Sequence, residues 1–336
     1  MKIDYQILYD EAVRVLMDRG IRESHAVDVA EVLLYADLAG RKTHGLARFG
    51  YYLKRIDDEL IDITSYPDIM KFGDNNVAID GKNGLGQTLG ILAMDYATER
   101  AAKNNVGIVC VKNSSHFGTA GYYSLMAVKK GLVGITFTNA RPAVAARGGI
   151  IPTLGTNPYS IGFPSDTEYP FLIDCATSEI QRGDVEQRGN GLINKNYYTA
   201  DKTYVASNLL EKLKKGQAAL NPIGRHKGFG LSLAIELFCS AFVSGSFLDD
   251  LNGHYEGLPG KEYNIGHFFM AINPEMFTPL DTFKANVGKA LREIKQQDGV
   301  RVPGEQSHYL AIEQKDNGVE LKESVIDELK RMGMKI

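Results

Sequence analysis

The chain has no tryptophan, only three cysteines and almost no net charge. Cys110, Cys175 and Cys239 are odd in number and widely spaced, which excludes a disulfide framework and suits reduced thiols in a cytoplasm. Lys plus Arg number 38 against 41 Asp plus Glu, a formal charge of −3, so the electrostatic footprint of a nucleic-acid binder is missing. The N-terminus lacks the apolar stretch of a signal peptide. The longest apolar run, residues 229–243, falls short of the roughly 18 residues that cross a bilayer and contains Glu236. It reads as a buried helix, and no membrane partner is expected. Repeats and low-complexity tracts are absent. What remains is a 336-residue chain, 44% hydrophobic and 24% charged, with the usage of a globular protein and the mass for about two domains.

The first sixty residues carry helical periods. Ile7, Leu8, Ala12, Val15 and Leu16 form one apolar set, stopped by Gly20; Ser24 stands where it would cap a second helix, which Gly40 ends. Phe49, Leu53, Ile56 and Leu60 predict a third helix beginning near Thr43. From residue 76 the grammar changes to alternating strands and helices. Strands are expected at 77–79, 106–111, 133–138, 159–163, 171–175 and 267–272, and helices at 88–103, 120–130, 229–243, 282–296 and 323–332. The interleaving makes this an α/β region behind an all-α one. Residues 189–217 are polar and resist assignment, 253–266 read as a glycine-rich loop, and Pro303-Gly304 reads as a turn.

Six constellations carry chemistry. Thr43-His44-Gly45 with Arg48 and Tyr52 would align at i, i+4 and i+8 on a helix beginning at Thr43, setting a carboxylate-binding guanidinium beside a titratable imidazole. An ordinary solvated face, not needed for the core, is the alternative. His116 lies in Asn113-Ser114-Ser115-His116-Phe117-Gly118, a loop past a buried strand, suited to acid–base work or to simple capping. Gly84-Leu85-Gly86-Gln87-Thr88-Leu89 has the context of a dinucleotide fingerprint but Leu89 where the third glycine belongs, so it reads as a tight turn. Leu154-Gly155-Thr156-Asn157-Pro158, Asp174-Cys175-Ala176-Thr177-Ser178 and Gly224-Arg225-His226-Lys227-Gly228 supply turns, a carboxylate and cations that suit an anionic, phosphate-bearing ligand. His44, His116 and Asp174 also compose the competing metal-dependent lyase or hydrolase, although no H-x-x-x-H, H-E-x-x-H or C-x-x-C spacing occurs. A binding protein without catalysis is a third reading.

These motifs, with Gly121-Tyr122-Tyr123, Lys227-Gly228-Phe229-Gly230-Leu231, Ile265-Gly266-His267-Phe268-Phe269 and Pro303-Gly304-Glu305, run in an order that closely resembles the malate/L-lactate dehydrogenase family. That family also contains L-sulfolactate and ureidoglycolate dehydrogenases and diketogulonate reductases. The resemblance covers nearly the whole chain and implies a non-Rossmann, L-sulfolactate dehydrogenase-like α/β fold: a three-layer domain with a mixed sheet over residues 71–299, and an all-α domain of residues 1–70 joined by helices in 300–336. It implies hydride transfer between NAD, or NADP, and a small 2-keto or 2-hydroxy acid in a homodimer or larger homo-oligomer. His116 then matches the proton carrier and His44 an orienting partner. Arg48, Tyr52 and Arg141 match substrate-binding positions. Asn139, Thr156, Asn157, Asp174, Cys175, Ala176, His226, Lys227, Pro303, Gly304 and Glu305 match cofactor-binding positions. Arg141 departs from the acidic or small residue common in relatives, which implies either a ligand more acidic than lactate or an Arg141 turned away from it. The 189–217 segment is shorter and more polar than usual.

Overall fold

A short strand β1 (Lys2–Ile3) precedes helices α1 (Tyr5–Met17), α2 (Glu23–Leu38) and α3 (Phe49–Asp57), in which the apolar spacing of the first sixty residues is realised. The structure is a computed structural model, and it describes residues 1–181, 185, 197–199, 209–251 and 263–336. Asp4 caps α1 by accepting from the N–H groups of Gln6 and Ile7. Gly20 and Gly40 follow the first two helices at φ of 82° and 75°, a left-handed turn that glycine makes without strain. Two local expectations are corrected. Ser24 does not cap α2, since Arg22 occupies the cap and no side chain bonds there. The third helix does not begin near Thr43: residues 43–45 form a turn, Leu46–Arg48 a single 3₁₀ turn, and α3 starts at Phe49. His44, Arg48 and Tyr52 therefore share no helical face, and Tyr52, 1% exposed, belongs to the core with Phe49, Leu53 and Ile56.

The α/β part runs β2 (Asp68–Phe72), β3 (Asn76–Asp80), α4 (Gly86–Asn104), β4 (Val106–Ser114), α5 (Ala120–Lys129), β5 (Val133–Thr138), β6 (Val144–Ala145), β7 (Pro152–Leu154), β8 (Tyr159–Phe163) and β9 (Phe171–Cys175). It continues through β10 (Tyr197–Thr199), α6 (Leu209–Lys214), β11 (Ala218–Leu220), α7 (His226–Ser240), β12 (Ile265–Ile272), α8 (Leu280–Ile294), α9 (Glu305–Asn317), β13 (Val319–Glu320) and α10 (Glu323–Arg331). Seven strands pair in the order β2-β3-β4-β12-β5-β8-β9, with β3 and β4 parallel and the other neighbours antiparallel. Strand alternation sorts the two faces. Val109, Val111, Phe269 and Ala271 pack under α4 and α5, whereas Cys110 and Phe268 meet Ile235 and Cys239 of α7 on the other side. The result is three layers around a mixed sheet. Gly107 permits the close seating of α4, because a Cβ there would lie 2.0 Å from the Ala97 carbonyl.

The helical layer draws on both chain ends: Val319, Leu321, Ile326 and Leu329 share one core with α1, α2 and α3, and β1 pairs with β13. Helix α9 falls within the helices that the family resemblance implied for residues 300–336, but no apolar period marks it. Its one buried residue is Gln314, which donates to the carbonyls of Asp37 and Leu38, so it carries no apolar stripe to read. The expectation of a buried helix at 229–243 is also corrected. With its 3₁₀ extension the run spans His226–Val243, long and apolar enough by composition to cross a membrane, yet it packs on the sheet with 33% of it buried. Leu231, Leu237, Phe238 and Phe242 stay exposed. A second sheet of four strands, β10-β11-β6-β7, lies apart. Of the polar 189–217 stretch only β10, α6 and residues 215–217 are described; in the glycine-rich stretch, 253–262 lie outside the described residues.

Candidate active site

Strands β4, β5 and β9 end, and β12 begins, along one edge of the large sheet, as the pairings of Ser114 with Ile265 and of Thr138 with His267 require. A cavity of about 570 Å³ opens there against Arg41, His44, Arg48, Tyr51 and Lys54 of the helical layer. That is ample room for small-molecule ligands.

His116 stands in its wall, stacked on His44 at 5.9 Å and 21°. Its Nδ1 receives the Gly118 N–H at 3.3 Å and lies 2.5 Å from the Tyr52 hydroxyl. Burial first, then the neighbouring His44, Arg48, His267 and Arg141, holds its pKa well below the ordinary imidazole value, so the ring is neutral near pH 7 in the free protein. His267, 0% exposed, lies below. Its ring nitrogens sit 2.7 Å from Thr138 Oγ1 and 2.8 Å from Ser114 Oγ, tying three strand ends together, and its ring lies flat against Phe117 at 4.3 Å. Burial lowers its pKa to about 3.

The turn presenting His44 is held from behind. Buried Asp37 accepts the Leu46 N–H at 2.7 Å, and a Cβ on Gly45 would lie 2.2 Å from the same carboxyl. Arg48 Nε donates to the Thr43 carbonyl at 3.0 Å. Across the cavity Asp174 accepts from Thr119 Oγ1 at 2.5 Å and faces Arg41 Nε at 3.9 Å. Helix α5 begins here without a side-chain cap, with Thr119 and Ala120 in the cavity wall. Its open N–H groups and positive dipole end suit a phosphate. Among the described residues, four basic side chains (Arg41, Arg48, Lys54, Arg141) and one carboxylate, Asp174, line the cavity.

A family model described as malate/L-lactate dehydrogenase matches residues 3–330. The chain belongs to that family. It is 34% identical to a malate dehydrogenase of Pyrococcus abyssi, over 100% of this chain and 95% of that one. It is also 34% identical to the L-sulfolactate dehydrogenase of Methanocaldococcus jannaschii, over 95% of this chain and 93% of that one. The crystal structure of malate dehydrogenase from Entamoeba histolytica superposes with a TM-score of 0.93 at 34% identity, covering 99% of this chain and 97% of that one. The protein is thus an NAD(P)-dependent dehydrogenase of small hydroxy acids. The relatives give no support to the metal-dependent lyase or hydrolase reading. The cavity fits the cofactor in kind: an uncapped helix end for phosphate, beside a carboxylate and hydroxyls for sugar.

Within this dehydrogenase, His44, Arg48, His116, Asn139, Arg141, Thr156, Asp174, Cys175 and Ala176 meet in the wall of one cavity. Others do not. Tyr52 lies beneath His116, outside the lining. Asn157, 0% exposed, bonds to Glu236 at 2.8 Å, to the Ser232 carbonyl at 3.0 Å and to the Ala140 N–H at 3.0 Å, which makes its turn a packing device. His226 and Lys227 are exposed at the start of α7, and Pro303, Gly304 and Glu305 lead into α9; none of the five lines the cavity. The sequence reading missed Arg41, Tyr51, Lys54, Gln181 and Tyr263. Arg41 had a signal, directly after the helix-ending Gly40 and two residues before Thr43. Gln181 and Tyr263 had none, because they arrive from distant segments.

Proposed function

We propose that the cavity takes a 2-oxo acid bearing a second anionic group, such as a dicarboxylate or sulfonate, beside NAD, with NADP as the alternative carrier. The observation that carries this is the four-to-one excess of basic over acidic side chains among the described residues of its wall. Arg48 and Arg141 are the clamps for the two anions, since a guanidinium meets each with paired, charge-assisted hydrogen bonds. His44 orients the acid. His116 exchanges the proton at the carbonyl oxygen through Nε2, its Nδ1 being occupied by Gly118 and Tyr52. When bound, the nicotinamide supplies or accepts the hydride. Asn139, Thr156, Asp174, Cys175, Ala176 and the start of α5 are the residues that would hold the cofactor's inner half. His226, Lys227, Pro303, Gly304 and Glu305 are assigned to its outer half on the family resemblance.

The test is turnover of NADH and NADPH with oxaloacetate, sulfopyruvate, oxalurate and pyruvate. A dianionic acid should exceed pyruvate by about tenfold or more in kcat/KM, the worth of one extra charge-assisted contact. Pyruvate as the best substrate, or no turnover by folded protein, would overturn the reading. The exposed Leu231, Leu237 and Phe238 on α7, with Phe242 in its 3₁₀ extension and Phe247 beyond it, support a homodimer or larger homo-oligomer built on this face. Leu237→Glu should then shift the mass measured by light scattering toward the monomer. A cytoplasmic location is part of the same reading, supported by three cysteines that remain free thiols.

A further inference from the structure

Tyr263 stands in the cavity wall, 3% exposed, just ahead of β12. Asn264 turns the chain between the two at φ 54°, a left-handed conformation that asparagine tolerates better than most residues. Two guanidinium groups lie over the Tyr263 ring, Arg55 of α3 at 3.8 Å and Arg141, from the loop after β5, at 5.2 Å. Its hydroxyl meets that of Tyr51, and the two rings stack at 6.3 Å and 30°. Arg48 in turn lies over the Tyr51 ring at 5.9 Å. A pair of tyrosines therefore joins Arg48 of the helical layer to Arg141 of the sheet edge.

Cations that face one cavity repel each other, and an arginine left to itself keeps its rotamer freedom until an anion orders it. A carboxylate partner holds an arginine but also occupies the N–H groups that an incoming anion needs. A tyrosine face acts differently. Its quadrupole attracts a guanidinium within about 6 Å and leaves the N–H groups at the guanidinium edge available. The attraction strengthens where water is excluded, and Tyr263 is buried against Arg55, itself 3% exposed. The Tyr51 hydroxyl fixes the ring from the helical layer. On the other side Asn157 accepts the Ala140 N–H at 3.0 Å and holds the backbone next to Arg141. Both ends of the Arg141–Tyr263 contact are anchored, so the guanidinium is ordered before substrate arrives.

We propose that Tyr263 is a specificity-determining residue, holding Arg141 in the cavity wall so that an acid with a second anionic group is preferred over one without. It acts as a positioning residue, through Arg141. The Tyr51–Tyr263 pair spaces the two clamps, one from each layer. This role rests on the reading of Arg141 as the clamp for the second anion.

The experiment measures kcat and KM for oxaloacetate and for pyruvate at saturating NADH, with the folding of each variant checked by circular dichroism. Tyr263→Leu removes the ring. It should lower the ratio of kcat/KM for oxaloacetate to that for pyruvate by about tenfold, through KM for oxaloacetate and not kcat. In an Arg141→Gln background the same substitution should change the ratio by less than about twofold, since the ring then has no clamp to hold. Tyr263→Phe and Tyr51→Phe each break the hydroxyl bridge and keep both rings. Each should lower the ratio by about threefold, and the double variant no further. If Tyr263→Leu does not fold, this pair decides, and a wild-type ratio in both overturns the proposal. Equal losses on both acids, or a Tyr263→Leu effect that persists without Arg141, overturn it as a packing effect. If Arg141→Gln itself leaves the ratio at the wild-type value, the clamp reading falls and the proposal with it. If Arg141→Gln lowers the ratio and Tyr263→Leu does not, only the role of Tyr263 falls.

Discussion

Asp37 offers the most quantitative test of how the site is held. It is 1% exposed, its Oδ2 accepts the Leu46 N–H at 2.7 Å, and its Oδ1 is buried without a partner. Burial raises its pKa from 3.8 to about 7, with the Leu46 bond and the charge of Lys42 opposing. The sign follows directly. Between pH 4 and 7 the folded protein keeps a proton that the unfolded chain releases, so stability falls as pH rises through that window. From pH 5 to pH 8 the loss comes to roughly 2–3 kcal/mol, taking about 1.4 kcal/mol per pKa unit. Asp37→Asn keeps the acceptor for Leu46 and removes the charge. Unfolding entropy of about 2.1 cal/mol/K per residue makes about 0.7 kcal/mol/K for this chain, so the variant's Tm should gain about 3–4 °C on wild type between pH 5 and pH 8. Calorimetry at the two pH values reads this. An offset that stays constant would show that the buried carboxyl does not carry the cost assigned to it.

Three further outcomes are expected. His116→Gln should cost about 10²–10⁴ in kcat, whereas His44→Gln should act mainly on KM; the opposite pattern would reverse their roles. Arg48→Gln should raise KM for the acid by about 10–100-fold with KM for NADH little changed, measured in separate titrations, and equal effects on both would point to a folding defect. Gly45→Ala would set a Cβ 2.2 Å from the Asp37 carboxyl, so the turn must shift; a loss of roughly 1–3 kcal/mol in stability and a rise in KM should follow, and unchanged values would show the turn to be pliable.

Much of the scaffold was legible along the chain because its causes are local. The β-branched run at 106–111 and the strand at 133–138 appear where expected, and Gly131 at φ 78° ends α5 for the same reason that Gly20 and Gly40 end theirs. The ordered motifs announced the family, since each is short and contiguous. Elsewhere local pattern misled. A period through His44, Arg48 and Tyr52 suggested one helical face, but the core claimed Tyr52, and the buried Asp37 turned residues 43–45 out of the helix. Hydropathy marked residues 229–243 as apolar without telling which side would meet the sheet. Helix α9, implied by the resemblance, left no local period to read because its anchor is an amide and not an apolar stripe. The site's working geometry belongs to tertiary structure alone. Tyr52 and His116 stand 64 residues apart in the chain and come within 2.5 Å because one is fixed by the helical core and the other by the sheet edge. Residue types set what chemistry is available, and the packing of two separate cores sets which of those residues can reach each other.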